Sequence, residues 1–291
     1  MADHIQTSSQ DSRLPTIKQR LGLPDYEAPN VVIYKGDCLE LMKLLGDELF
    51  DLVVTSPPYN IGKEYEQTRK LEDYLAWSEA WIEEVYRLTK AQGSFWLNLG
   101  YLAISGKANA IPIPYLLWDK IPFYLQQEVI WNYGAGVAAK RFFSPRNEKF
   151  LWYVKDQSNY TFNLDDVRDP DVKYPNQKKN GKIKVNPLGK NPTDVWQIPK
   201  VTSGQNRSSK ERMPHPAQFP RALIERIIKS SSNEGDIILD PFMGSGTTAE
   251  AAIRNNRIVV GFEIQKNYLE IISKRLENVI QELNQRQGVL F

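Results

Sequence analysis

Short apolar runs alternate with stretches of helical spacing along most of this chain. Nearly continuous apolar runs, each typical of a buried strand, occupy residues 31–34, 50–54, 94–98, 129–131, 150–154, 237–239 and 258–262. Apolar residues at helical spacing lie between them, at 39–45, 74–88, 219–229, 249–254 and 268–283. Strands that are apolar on both sides fit a parallel sheet covered on both faces. The pattern therefore predicts an α/β fold with a doubly wound, mostly parallel sheet.

Two regions depart from this alternation. Residues 1–27 are polar and aperiodic, which predicts a flexible N-terminal arm. Residues 156–205 are rich in Asn, Lys, Pro and Gly, but Tyr160, Phe162 and Trp196 favour some folded structure over a disordered linker. Regular alternation resumes afterwards, so this second region is interpreted as an insert within one large domain of a 291-residue chain.

The charges nearly balance over the whole chain, but basic residues are concentrated in one segment. The chain has 37 Lys and Arg residues against 35 Asp and Glu, but ten of the basic residues fall between Lys173 and Arg212, opposed there only by Asp194 and Glu211. A basic block with aromatic neighbours suits a polyanion such as nucleic acid. A solvated loop is the alternative.

Residue usage excludes several other classes. Cys38 is the only cysteine, so the chain contains no intramolecular disulfide and no zinc site built from several thiolates. His4 and His215 are the only histidines, which argues against a histidine metal centre, and no metal is expected. We find no signal peptide and no apolar run long enough to cross a membrane, so we expect a cytoplasmic protein.

A glycine-rich segment follows the strand at 237–239. It reads Asp240-Pro241-Phe242-Met243-Gly244-Ser245-Gly246-Thr247-Thr248 and leads into a helix. Glycine lets a backbone approach a ligand closely, and a helix start offers unpaired N–H donors. Glu263 ends the next strand, at the distance expected of a carboxylate that holds ribose hydroxyls.

The charge of this segment argues against a phosphate ligand. Thr247 follows Gly246 where a phosphate-binding P-loop has lysine, and Asp240 would repel phosphate and attract a cation. S-adenosyl-L-methionine carries a sulfonium and an ammonium group and fits better. A glycine turn without a ligand is the alternative.

A second motif, Ser56-Pro57-Pro58-Tyr59, follows the strand at 50–54. Consecutive prolines fix φ and stiffen the loop. The hydroxyl of Ser56 and the carbonyl of Pro57 can accept hydrogen bonds from an exocyclic amine, and Tyr59 can stack on a base held out of a duplex. A proline turn with Tyr59 as a packing residue is the alternative.

Together, and in this order, the two motifs resemble the S-adenosylmethionine-dependent DNA amino-methyltransferases of the permuted group, in which the catalytic loop precedes the cofactor loop. The resemblance implies a Rossmann-like methyltransferase sheet, double-stranded DNA as substrate and S-adenosyl-L-methionine as cofactor. The catalytic residues it implies are Ser56, Pro57, Pro58 and Tyr59. The cofactor-binding residues it implies are Asp37, Cys38, His215, Asp240, Pro241, Phe242, Gly244, Ser245, Gly246, Thr247 and Glu263. For Asp37, a helix N-cap is the alternative.

Ser56 bears on which base is modified. In similar enzymes, serine at this position is typical of methylation at cytosine N4, whereas adenine-N6 enzymes usually carry Asp or Asn. We therefore expect cytosine N4 and keep adenine N6 as the alternative, since both bases present similar amidine edges. Methylation at cytosine C5 needs a cysteine nucleophile, for which Cys38 lies in the wrong context.

The resemblance also divides the chain: arm 1–27, catalytic half 28–155, target-recognition insert 156–205 and cofactor-binding half 206–291. The candidate DNA contacts are Lys63, Lys178, Lys179, Lys182, Lys184 and Arg207. A homodimer and a cognate restriction endonuclease are possible partners. A non-catalytic DNA-binding protein and a protein glutamine methyltransferase, whose cofactor loop comes first, are the competing functions.

Overall fold

The computed structural model describes residues 12–64, 66–136, 138–201 and 211–288. Its helices are α1 (Arg13–Leu21), α2 (Cys38–Lys43), α3 (Leu71–Leu88), α4 (Ile113–Leu116), α5 (Arg221–Ser231), α6 (Thr247–Arg254) and α7 (Lys266–Gly288). Its strands are β1 (Tyr26–Ala28), β2 (Val31–Lys35), β3 (Phe50–Thr55), β4 (Thr89–Leu99), β5 (Tyr101–Ile104), β6 (Ala108–Pro112), β7 (Tyr124–Asn132), β8 (Asn147–Val154), β9 (Lys178–Lys179), β10 (Lys182–Ile183), β11 (Val195–Gln197), β12 (Ile237–Asp240) and β13 (Ile258–Glu263).

A nine-stranded sheet forms the centre, in the order β1-β2-β13-β12-β3-β4-β8-β7-β11. Strands β2, β13, β12, β3 and β4 run parallel, as do β7 and β11, while β1 and β8 are antiparallel to their neighbours. The expectation of a mostly parallel α/β sheet is confirmed. Because the five central strands are parallel, their carboxyl ends meet at one edge.

Both faces of the sheet are covered, which makes the fold doubly wound. Along β2, Val32 and Tyr34 contribute to one apolar cluster, and Val31 and Ile33 to the other. Helices α1, α2 and α3 pack on the first face, and α5, α6 and α7 on the second. The strands are therefore apolar throughout because each side chain meets a helix layer, whichever way it points.

The N-terminal region differs from the sequence prediction. Residues 13–21 form α1 with Ile17 fully buried, and residues 26–28 pair with β2 as an edge strand, so from residue 12 onward this is not a flexible arm. The prediction failed because nine residues with one deeply buried apolar side chain give little periodicity. Residues 1–11 of the predicted arm lie outside the described residues.

The insert also contributes to the core. Its strand β11 pairs in parallel with β7, and Trp196 is buried with its ring 5.8 Å from that of Trp96. Tyr160 and Phe162 pack on Trp152. The predicted boundary of 156–205 therefore cuts through the sheet, and the hairpin β9–β10 within it forms a separate two-stranded sheet.

Candidate active site

A cavity of about 560 Å³ lies at the carboxyl edge of the central strands. Its wall includes all four residues of the Ser56–Tyr59 motif and most of the glycine-rich segment, with Asp37, Cys38, His215 and Glu263. Of the predicted cofactor residues only Gly246 does not line it. The volume is in the usual range for small-molecule and cofactor sites. Thr55 and Asp240, at the ends of strands β3 and β12, are hydrogen-bonded although they are 185 residues apart in the chain. The two motifs thus lie in one cavity.

Glu263, at the end of β13, fixes the shape of the glycine-rich segment. Its Oε2 accepts a hydrogen bond from the amide of Gly244 at 2.8 Å, and its Oε1 accepts one from the amide of Gln265 at 2.8 Å. The side chain is buried, and burial raises the pKa of Glu263. This carboxylate therefore orients the loop as well as lining the cavity.

Two positions in the segment have positive φ angles, a backbone conformation that favours glycine. Gly244 and Gly246 have φ of 53° and 76°. A Cβ on Gly244 would also lie 3.2 Å from Nε2 of His215, so the ring packs against bare backbone there. Gly246 precedes α6 as its N-cap and lies against Ile272. The glycines are required by the turn and by the close approach of neighbouring side chains.

Asp240 is the most deeply buried acid in the cavity wall. Its Oδ1 accepts hydrogen bonds from Oγ1 of Thr55 at 2.7 Å and from the amide of Phe242 at 3.1 Å. Burial raises the pKa of Asp240 to about 6, although those hydrogen bonds and one from Thr248 lower it. A buried carboxylate with no cationic partner among its hydrogen bonds suits a positively charged ligand group.

His215 closes this side of the cavity as a neutral ring. Its Nδ1 accepts a hydrogen bond from the amide of Ala217 at 3.2 Å, which leaves the ring proton on Nε2. Burial, and to a lesser degree the charge of Arg275, lower the pKa of His215 to about 4. The ring also packs edge-on against Tyr268, with centroids 4.5 Å apart.

Asn98, which the sequence analysis did not identify, organises the other half of the site. Its Oδ1 accepts hydrogen bonds from the hydroxyl of Tyr59 and, at 3.3 Å, from Oγ of Ser56. Its Nδ2 donates to the carbonyl of Lys149 at 3.0 Å, which fixes the orientation of the amide. The only signal in the sequence was a polar residue near the end of an apolar strand.

The Pro-Pro loop is held by contacts on both sides. The hydroxyl of Tyr74 donates to the carbonyl of Pro58 at 3.0 Å. The ring of Tyr59 packs on Gly100 so closely that a Cβ there would lie 2.7 Å from Cε2. Ser56 and Tyr59 are themselves 3.1 Å apart between hydroxyl oxygens. The stiffness expected from the two prolines is therefore reinforced by packing.

Asp37 and Cys38, which follow strand β2, also line the cavity. Asp37 caps helix α2, with Oδ1 accepting hydrogen bonds from the amides of Leu39 and Glu40 at 2.9 and 3.3 Å. Asp37 is therefore an N-cap, as the alternative interpretation had it, and it also lines the cavity, so its cofactor role stays a prediction. Cys38 is buried, and burial raises the pKa of its thiol, so it acts as a small apolar surface.

A second group that the sequence analysis did not assign lines the wall beyond the catalytic loop. Lys200 forms an ion pair with Glu148 at 2.7 Å, and its ammonium lies 3.7 Å from the ring centroid of Tyr133. Trp131 lies beside them and donates to the carbonyl of Ile198 at 2.6 Å. The group comes from three separate segments, and no spacing in the sequence brings these together.

The candidate DNA contacts fall in two places. Lys63 lies at the cavity mouth. Lys178, Lys179, Lys182 and Lys184 are all exposed on or beside the β9–β10 hairpin. Its Asn180-Gly181 turn has φ of 52° and 78°, the left-handed pair that two-residue hairpins prefer. Arg207 lies outside the described residues.

Comparison with known proteins identifies the class. Residues 50–274 match the family model described as DNA methylase, which covers N6- and N4-directed enzymes, and the chain belongs to this family. It is a DNA methyltransferase, and its Ser-Pro-Pro-Tyr and Asp-Pro-Phe-Met-Gly-Ser-Gly segments line one cavity.

Among named relatives, the chain is similar to the type II methyltransferase M.ScaI of Streptomyces caespitosus. The two are 62% identical over 273 residues, which cover 94% of this chain and 90% of that one.

Solved structures support the fold. The PvuII cytosine-N4-specific DNA methyltransferase superimposes with a TM-score of 0.69 at 23% identity, covering 90% of this chain and 94% of that one. A DNA modification methylase of Thermus thermophilus, solved with S-adenosyl-L-methionine, gives 0.59 at 22% identity, covering 85% and 93%. Membership of the DNA methylase family confirms the expected cofactor, S-adenosyl-L-methionine.

The described residues contain neither a membrane span nor a metal cluster. No helix among them is long and apolar enough to cross a membrane. No group of three or more His, Cys, Asp and Glu side chains within those ranges is arranged to hold a metal ion.

Proposed function

We propose that this chain is a site-specific methyltransferase for the exocyclic N4 of cytosine in double-stranded DNA. The observation that carries the proposal is the Ser56–Tyr59–Asn98 cluster, which lies in the same cavity as the glycine-rich segment. Membership of the family is the basis for DNA methylation. The side chains of the catalytic loop are the basis on which we propose cytosine as the base.

The cavity fits the methyl donor in size and in charge. When bound, S-adenosyl-L-methionine supplies a methyl group activated by its sulfonium. Asp240 and Glu263 place two buried carboxylates in the wall, and the amides of the glycine-rich segment and the start of α6 provide donors for polar groups. Asp37, Cys38 and His215 complete that side, with His215 neutral at physiological pH because of its lowered pKa.

We assign to the catalytic loop the binding of the exocyclic amine of the base. An exocyclic amine is a weak nucleophile because its lone pair is delocalised into the ring. Acceptors that hold both amino hydrogens allow the nitrogen to become tetrahedral, and we assign this role to Oγ of Ser56 and the carbonyl of Pro57.

Asn98 orients the hydroxyl of Ser56 so that its oxygen can accept a hydrogen bond. Since Oδ1 of Asn98 can only accept, the Ser56 proton is directed to Asn98 or to Tyr59, and the lone pairs of Oγ are left to accept. Tyr59, fixed by Asn98 and Gly100, presents a ring on which the extruded base can stack.

The choice of cytosine over adenine rests on Ser56. Serine at the first position of this tetrapeptide resembles the cytosine-N4 pattern, and the PvuII enzyme of similar fold is described as cytosine-N4-specific. Adenine N6 is the competing outcome of the test, since the family covers both types.

Sequence recognition is assigned to the basic surface. Exposed Lys178, Lys179, Lys182 and Lys184 suit phosphate contacts beside a readout segment, and Lys63 suits a contact at the cavity mouth. By analogy with its type II relative, we propose that the enzyme works beside a restriction endonuclease of the same specificity. A homodimer is a further proposal, which light scattering of the purified protein tests.

One experiment tests the reaction directly. Unmethylated DNA is incubated with the purified protein and S-adenosyl-L-methionine, digested to nucleosides and analysed by mass spectrometry. N4-methylcytosine is the expected product, and it should disappear with Ser56→Ala. N6-methyladenine would overturn the assignment of the base, and no product despite cofactor binding would overturn the proposed activity.

A further inference from the structure

Two phenylalanines stand exposed at the tip of the loop that joins β7 to β8. Phe143 is 100% exposed and Phe142 is 65% exposed. Most other aromatic residues of the described chain are buried or half-buried, so a fully exposed ring is unusual for this protein. Two adjacent exposed rings form a contiguous apolar surface, and contiguous apolar surface is a mark of contact with another molecule.

The loop is held in shape. At its base, the amide of Tyr133 donates to the carbonyl of Arg146 at 3.0 Å. Near its tip, the amide of Ala139 donates to Oγ of Ser144 at 2.9 Å, which closes a short turn over Phe142 and Phe143. The two rings are therefore presented by a turn with its own hydrogen bond.

The position of the loop ties it to the active site. Strand β7 runs parallel to β4, so the loop leaves the sheet at the same edge as the cavity. The residues just before and after the loop, Trp131 and Glu148, line the cavity wall. The tip thus projects from the edge at which a DNA base must enter.

The charge around the tip indicates which kind of molecule the loop contacts. Lys140 and Arg141 are exposed beside the two rings, and Arg146 follows at the base of the loop. No Asp or Glu occurs between Tyr133 and Asn147. Cations beside an exposed ring complement a DNA duplex, whose phosphates attract the cations and whose base stack accepts the ring. A protein partner with an apolar pocket would not require this one-sided charge.

We propose that Phe143 enters the base stack of the substrate duplex at the target base pair, while Lys140 and Arg141 contact the adjoining phosphates. This inference rests on the proposed function, since it requires that the methylated base leave the helix. Extrusion of a base exposes the faces of its neighbours and breaks its pairing. An aromatic ring in the vacated space restores stacking and slows the return of the base.

The test compares two duplexes that differ only in how firmly the target base is held. Both contain the methylation site recovered by sequencing methylated DNA; in one the target base is paired, and in the other it faces an abasic position. For Phe143→Ala, we expect the single-turnover methylation rate to fall about tenfold or more on the paired duplex. On the abasic duplex we expect it to stay within about threefold of the parent rate, because extrusion costs less there.

Two control variants separate this role from others. Tyr124→Ala removes a ring that is 50% exposed at the opposite end of the same strand β7, and it should leave both rates unchanged. Phe143→Trp keeps a stacking ring and should retain the parent rate on both duplexes. Calorimetric affinity for S-adenosyl-L-methionine should be the same in all variants.

The outcomes are distinct. Equal losses of methylation rate for Phe143→Ala on the two duplexes would overturn the insertion of Phe143 into the base stack and would indicate a simple binding contact instead. No loss on either would remove Phe143 from the DNA interface. A parent enzyme that methylates neither duplex would contradict the proposed function itself, whereas an active parent with an unaffected Phe143→Ala variant contradicts this inference alone.

Discussion

Replacing Asn98 by alanine tests whether the catalytic loop depends on a residue outside its own motif. The side chain is fully buried, and its Oδ1 is the shared acceptor for the hydroxyls of Ser56 and Tyr59. Without it, the Ser56 proton has no fixed direction, and the lone pairs of Oγ no longer point dependably at an amine. We expect cofactor binding to be retained, because Asn98 contacts the catalytic loop and β8.

The expected magnitude follows from the two hydroxyls that lose their acceptor. A buried polar group left without its partner costs about 1–3 kcal/mol. If the loss from one such group falls on the transition state, the rate drops about 5- to 140-fold, since about 1.4 kcal/mol corresponds to a factor of ten. Single-turnover methylation with an excess of enzyme measures this step without product release.

A matched variant makes the result specific. Asn147→Ala removes an asparagine at the same edge of the sheet, whose Oδ1 accepts from Tyr101 at 3.2 Å and which does not line the cavity. This control should leave the rate within about twofold of the parent. A rate for Asn98→Ala within about twofold of the parent would refute the assigned role, as would a large loss of cofactor affinity.

Three further substitutions test the remaining parts of the site. Ser56→Ala should lower turnover about 100-fold or more while calorimetric affinity for S-adenosyl-L-methionine stays the same; a loss of affinity would place Ser56 at the cofactor instead. Since the pKa of Asp240 is about 6, its charge is lost as the pH falls through 6, and cofactor affinity should weaken between about pH 7 and about pH 5. Asp240→Asn should bind weakly at both pH values, and a parallel pH response in the variant would show that another group titrates. Gly261→Ala would place a Cβ 2.1 Å from Cε of Met243, so it should destabilise the protein by about 1–3 kcal/mol in chemical denaturation, whereas an unchanged midpoint would mean that the loop moves freely.

The sequence predicted the central sheet because both faces of it are covered. Strands such as β3, β12 and β13 are short, apolar and followed by turn residues, so type and place were predictable from local pattern. The two motifs were also predictable, since prolines and glycines carry local backbone requirements that are visible without tertiary structure.

Other parts depend on contacts that no local pattern contains. Asn98 matters because the catalytic loop folds back over β4, and the Lys200–Glu148 pair joins segments 52 residues apart. Helix α1 was missed because a single deeply buried residue, Ile17, anchors it. Strand β11 was missed because three residues that pair with β7 carry too little periodicity to be distinguished from a loop.

The order of strands in the sheet has a consequence for how the protein is made. Strands β12 and β13, which come late in the chain, lie between β2 and β3, which come early. During synthesis the early strands therefore emerge with a gap between them, and their unpaired edges are open to wrong partners until β12 and β13 have left the ribosome. The hydrogen bond from Thr55 to Asp240, across 185 residues, forms only when that gap is filled. A nascent chain thus carries the Ser56–Tyr59 loop long before the glycine-rich segment can join it in one cavity, and it becomes able to modify DNA only once its late strands have emerged.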